Sequence, residues 1–209
     1  MANYFSFFPQ TLYQLSDNNA DVVSKITARF RFEQSFKDNT AVSYEYEIKD
    51  GDTPEIIADK LYGSPERHWI ILMFNDIVDV ETDWPLDQRT LMQFIEEKYK
   101  PSASAGQSGI NWAQSNIQTY YIIETRTTSA TGDFIETKTA TDANTYANTA
   151  VTTNTITLQD GKQLTIKISK ETESYYEYEN EFNDSKRTIK LLKSEFIPAV
   201  ENEFQSIIR

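Results

Sequence analysis

The chain has no cysteine and a single histidine among its 209 residues. The first absence removes disulfides and thiolate metal sites together, and with them any reading of compartment from redox chemistry. Without a second histidine, His68 cannot build a nucleophile pair or a histidine-rich metal centre, so a structural hydrogen-bonding role is expected for it. Positive charge is also scarce. Twenty Lys and Arg stand against 32 Asp and Glu, a formal net charge of −12. A phosphate backbone adds affinity only to cationic surfaces, so no nucleic-acid partner and no anionic membrane partner is expected. No run approaches the ~18 apolar residues of a membrane span. The opening MANYFSFFPQ lacks the basic start and continuous apolar core expected of a signal peptide. With 39% hydrophobic residues, one large core over the whole length is not expected either.

Aromatic residues, by contrast, are plentiful, with twelve Tyr and twelve Phe. They bring large contact area at low entropic cost, a composition that goes with extensive protein contact. The 32 acidic residues guarantee chance carboxylate pairs. Nothing in the sequence marks one pair as desolvated, which is what shifts a pKa to a useful value, so no enzyme activity is expected. Asp76, Asp79, Glu81 and Asp83 crowd one stretch but lack the glycine and terminal Glu of a calcium loop. A solvated loop is the expectation there, with no metal and no cofactor.

The most specific local signal lies between Gly51 and Asn75, GDTPEIIADKLYGSPERHWIILMFN. Thr53-Pro54-Glu55 and Ser64-Pro65-Glu66 are two helix starts in nearly the same letters. A hydroxyl suits the N-cap, proline the first helical position, and glutamate the positive end of the helix dipole. Gly63 between them suits a left-handed helix stop. The pattern predicts helices over 54–62 and 65–75. Trp69 to Phe74 is apolar all round, and a helix of that kind is buried all round. Upstream, Ser43 to Ile48 alternates as a strand does and ends at the turn signal Asp50-Gly51. Two helices joined by a tight turn also invite a DNA-binding reading, but Trp69 to Phe74 offers no basic or polar side chain to a groove.

A strand followed by Gly51, Asp52 and Thr53, then Ala58, Tyr62, Gly63, Trp69 and Asn75, resembles the LysM module. That family implies a βααβ fold and commonly binds N-acetylglucosamine polymers such as peptidoglycan. The longer pattern, with Asp83-Trp84-Pro85-Leu86, is similar to the LysM-like baseplate wedge subunits of T-even-type contractile-tailed phages. The similarity extends to YFSFFP at the N-terminus and NDSKRTIKLLKSEF near the C-terminus. It implies a structural protein of the virion tail baseplate, found in the host cytoplasm during assembly. Its implied partners are other baseplate wedge proteins, with adjacent wedges as a further option. A sugar-binding LysM module closes with a second strand soon after the Asn. Here IVDVETDWPLDQRTLMQFIEEKYK predicts a third helix over 87–99 instead. The second strand is then absent or comes from elsewhere, which counts against glycan binding, the alternative function.

Outside this centre the signals are weaker. Val22, Val23 and Ile26 suit a short helix, and Phe30 to Phe32 a strand. Residues 101–118 have the small, polar composition of a linker. Tyr120 to Glu124 reads as a strand, and the Thr-rich 125–157 as a long exposed hairpin or partly ordered loop. Alternation on both sides of Asp160-Gly161 predicts a hairpin. Asn183 to Lys186 reads as a turn and 189–192 as a strand. Val200, Phe204, Ile207 and Ile208 stripe a last helix near Pro198. The expected fold is therefore α+β, in four segments. These are an N-terminal arm (1–43), the LysM-like domain (44–100), a linker with a Thr-rich β-hairpin extension (101–172), and a C-terminal strand and helix (173–209). Tyr4, Phe5, Phe7 and Phe8, with Trp84 and Pro85, are the candidate interface residues. They serve either as cover for the second helix and its core or as anchors in a neighbouring subunit.

Overall fold

Strands and helices alternate irregularly along the chain, an α+β architecture. The computed structural model describes residues 8–16, 19–25, 31–129, 132 and 134–208. The order opens with β1 (Gln10–Ser16), β2 (Asn19–Ser24), α1 (Gln34–Lys37), β3 (Ser43–Glu47), α2 (Pro54–Tyr62), α3 (His68–Phe74) and α4 (Val80–Asp83). It continues with α5 (Gln88–Tyr99), α6 (Gly109–Ser115), β4 (Ile117–Thr128), β5 (Phe134–Thr141), α7 (Ala143–Asn148) and β6 (Thr152–Thr157). β7 (Gln163–Ser174), α8 (Tyr175–Ser185), β8 (Thr188–Leu192) and α9 (Ile197–Ile208) complete it. Two compact units result. The first takes residues 1–87 and 184–209, the second 88–183. This division differs from the expected four segments in two respects. The 88–99 helix belongs to the second unit, where it packs on α6, and the C-terminal strand and helix return to the first.

In the first unit, the Thr53 side chain accepts from Ile56 N at 3.3 Å, capping α2 as its sequence predicts. Gly63 ends the helix with φ 69°, a left-handed conformation that costs glycine little. The expected helix 65–75 opens differently. Ser64 makes no side-chain cap bond, so Pro65–Arg67 closes as a tighter 3-10 turn before α3 begins at His68. Trp69, Ile70, Ile71 and Phe74 are buried, with Ile70 and Ile71 at 0% exposure, whereas Leu72 and Met73 are only partly covered. Their cover comes largely from far along the chain. β8 pairs antiparallel with β3, from Ser43 opposite Leu192 to Glu47 opposite Thr188, and buries Ile189, Leu191 and Leu192. Val200 and Phe204 of α9 join the same core. The antiparallel partner of β3 thus comes from the C-terminal segment.

Two N-terminal expectations are corrected. Val22 and Val23 lie in a strand, because successive β-branched residues favour extended backbone and β1 offers a ladder. Arg31 and Phe32 are in no strand. The Phe32 ring instead meets Phe74 at 5.5 Å and Phe36 at 5.8 Å. Ile26 and Phe30 lie outside the described residues.

In the second unit, residues 101–118 are not a linker. Ser108 caps α6 by accepting from Asn111 N at 3.0 Å, and Trp112 packs against Tyr99 and Tyr175. Gly109 serves close approach, since it sits against the backbone of Glu96 in α5 and of Lys100 just beyond it, with no room for a Cβ. The Thr-rich stretch is regular too. β5, a helix capped by Asp142, and β6 complete an antiparallel sheet in the order β5-β4-β7-β6. α8 runs on to Ser185 through most of the expected turn.

Candidate functional site

The LysM-like motif residues gather in the first unit, where most serve the local fold. Gly51 turns the chain with φ 85°. The Asp52 carboxylate, nearly enclosed, accepts from Tyr46 Oη at 2.8 Å, Lys60 Nζ at 2.9 Å and Lys49 N at 3.2 Å. Burial alone would raise its pKa, but these donors outweigh it and hold the carboxyl below the usual value. The same environment pushes the Tyr46 phenol up to about 12, first through burial and then through the hydrogen bond to Asp52. Ala58 and Tyr62 are buried in the core, and burial also raises the Tyr62 phenol. Trp69 stacks on Phe204 with ring centroids 4.6 Å apart. Asn75 works as a strand surrogate. Its amide donates to Lys190 O at 2.8 Å and accepts from Lys190 N at 2.8 Å, so it occupies backbone groups of β8.

The candidate interface residues divide. Tyr4, Phe5 and Phe7 lie outside the described residues. Phe8 is 5% exposed and meets Phe204 edge-on at 6.3 Å, which places it as cover for the core. Trp84 is 7% exposed and donates its indole N–H to Asp52 O at 3.0 Å, with Pro85 buried beside it. These three side chains are spent on the unit's own interior. His68 sets Nδ1 2.9 Å from Pro65 O, at the 3-10 turn.

The acidic stretch after α3 stays at the surface, where Asp76, Asp79 and Asp83 bind nearby backbone and cations. Asp83 accepts from Val78 N and Asp79 N, while Asp79 caps α4 through Glu81 N. Asp76, in the left-handed region at φ 56°, holds Lys37 Nζ at 2.6 Å and Arg31 Nε at 3.2 Å. Hydrogen bonding to Lys37 leads the causes that lower its carboxyl pKa. Among the described residues, no group of three or more acidic or histidine side chains is arranged to hold a metal ion. No helix among them is long and apolar enough to cross a membrane.

What the first unit leaves open is apolar surface. Met73, on the less covered side of α3, lines a recess of about 470 Å³ with Phe32, Phe36, Trp69, Phe204 and Ile207. A second recess, of about 580 Å³, is polar. There Arg187 pairs with Asp50 at 2.8 Å and with Asp184 at 3.0 Å. The β1–β2 ribbon also exposes large apolar groups, Leu12 at 71%, Val22 at 60% and Tyr13 at 58%. Leu12 and Val22 stand directly opposite each other on one face, with Tyr13 on the other. Sequence reasoning missed this ribbon. The available signal was the β-branched Val22-Val23 following the turn-prone Asp17-Asn18-Asn19.

Comparison with known proteins adds two findings. A family model described as base plate wedge protein 53 matches residues 3–207. The baseplate wedge protein gp53 of Enterobacteria phage T4 is 30% identical over 100 residues, which cover 46% of this chain and 51% of that protein. The match thus spans about half the length of that relative.

Proposed function

The chain belongs to the base plate wedge protein 53 family, and from that premise we propose that it is a structural subunit of a phage tail baseplate. In this reading it joins neighbouring wedge proteins through apolar protein–protein contacts, in the virion and, before that, during assembly in the host cytoplasm. The observation that carries the contact mode is the β1–β2 ribbon. A two-stranded ribbon is marginally stable at best in water, and this one exposes Leu12, Tyr13 and Val22 on both faces. Such a ribbon gains order when a partner covers it or adds a strand to its edge. The partner in this reading is another baseplate wedge protein.

We read the β3–α2–α3–β8 arrangement as a LysM-like fold put to scaffolding use. Support comes from the order strand, helix, helix, strand, and from the turn, cap and Asn roles of Gly51, Asp52, Thr53, Gly63 and Asn75. The comparisons give the glycan-binding alternative no support. Its groove would border a closing strand that here comes from residues 188–192.

The test is incorporation. Leu12→Ser combined with Val22→Ser should leave thermal unfolding of the rest of the chain unchanged while sharply lowering its co-purification with wedge proteins. Full incorporation of that variant would overturn the ribbon's role. Retention of the wild type on insoluble peptidoglycan, competed off by N-acetylglucosamine oligomers, would favour the alternative function.

A further inference from the structure

The two edges of the four-stranded sheet are built differently. β5 and β6 each have one neighbour in the sheet, so each presents a row of backbone donors and acceptors outward. Natural sheets block such rows with charge, proline or bulges. β5 carries Glu136 and Lys138. Lys138 reaches inward over the Tyr121 ring at 4.2 Å and pairs with Glu171 at 3.2 Å on the sheet face, which leaves Glu136 as the charge that guards this border. β6 reads TTNTIT, with exposed Val151 and Leu158 at its ends. It has no charge, proline or glycine, and Thr153 to Thr157 are all exposed. From Ala143 to Gln159 the chain carries no charged residue at all.

We propose that the outer edge of β6 is an interface for a second copy of this chain, joined as an antiparallel strand pair. The charge distribution favours that occupant. A chain of net charge −12 repels its own copies almost everywhere, and an uncharged border is where two of them approach without like charges opposed. The strand is also suited to pairing with itself. Within the sheet, Thr155 already sets its hydroxyl 3.2 Å from that of Thr165 directly opposite. An antiparallel joint centred on Asn154 or Thr155 repeats such short polar pairs across the two copies. The faces agree as well. Ile156 lies opposite Leu164, on the same face as Ile122, Ile135, Ile166 and Ile168. A two-fold joint perpendicular to the sheet keeps that face continuous, so the apolar strips of both copies extend one another.

Sedimentation velocity over a wide concentration series tests this on the full chain. The expected result is a reversible dimer, with Thr153→Lys plus Thr155→Lys raising its dissociation constant at least about tenfold. Thr137→Lys, on the guarded edge, should leave it unchanged. A monomer at every concentration overturns the proposal, as does a dimer indifferent to the β6 variant or equally weakened by Thr137→Lys. Should the lysine variant misfold, hydrogen exchange of the wild type decides. Amide protection in 152–157 must rise with protein concentration. Protection that is independent of concentration, or that arises only with other wedge proteins present, overturns the second copy as occupant.

Discussion

The same chain builds two kinds of order. In the first unit, α3 is wrapped by α2, β8 and α9, and its isoleucines are removed from water altogether. In the second, four strands pair in one antiparallel sheet, yet Glu173 is the only buried residue among the described residues of that sheet. One face of that sheet is partly covered by α7, where Tyr146 meets Tyr120 at 4.9 Å and lies under Lys170. The rest of its apolar strip is half-exposed. The comparison teaches that backbone pairing fixes shape in the sheet of the second unit, where side-chain burial fixes it in the core of the first. A sheet held mainly by its ladder keeps its faces and edges available for other chains.

Substitutions of one kind in both units break or sharpen this contrast. Ile71→Ala should cost about 4 kcal/mol, because a fully buried side chain leaves a cavity that its neighbours do not fill. Urea unfolding followed by tryptophan emission reads it, and a loss under about 1 kcal/mol would mean the first unit is loosely packed. Gly109→Ala comes next, at about 2–3 kcal/mol, since its Cβ would meet the α5 backbone instead of a flexible side chain. Amide exchange of Ile110 to Ser115 should accelerate in that variant.

Asp52→Asn should cost about 2 kcal/mol at neutral pH, by weakening its bonds from Tyr46 and the solvent-exposed Lys60. The folded carboxyl lies below its unfolded value, so its stabilisation is present above about pH 4 and lost as pH falls through the folded pKa. The gap between wild type and variant should therefore close on acidification. A gap that widens would reverse the assigned direction. Gly63→Val should cost about 1–3 kcal/mol from backbone strain alone, as nothing obstructs a side chain there. The smallest effect is expected for Ile122→Ala, under about 1 kcal/mol, because that strand position is only half-buried. Equal losses for Ile71→Ala and Ile122→Ala would erase the contrast.

Sequence alone carried the first unit's local grammar well. Thr53, Gly63 and the Asp50-Gly51 turn act through neighbours a few residues away, so their chemistry is written in adjacent letters. The pairing of β3 with β8 was not legible, because Ser43 and Leu192 are joined only by the fold. For the same reason Asn75 gave no sign of Lys190, and Phe8 none of Phe204. Residues 101–118 misled in another way. Small polar residues read as a linker, whereas Gly109 is small because α5 lies directly against it. The ribbon and the β6 edge escaped notice because exposed strands carry no core signature. Their meaning lies in what covers them.

Hydrogen exchange on the free chain and on the same chain within purified tail particles measures the central claim directly. Amides of α3 should be protected equally in both states, while those of the β1–β2 ribbon should exchange fast when free and become protected in the particle. A ribbon that is already protected in the free chain, or that stays fast in the particle, would contradict the division between a self-sufficient core and surfaces kept for partners.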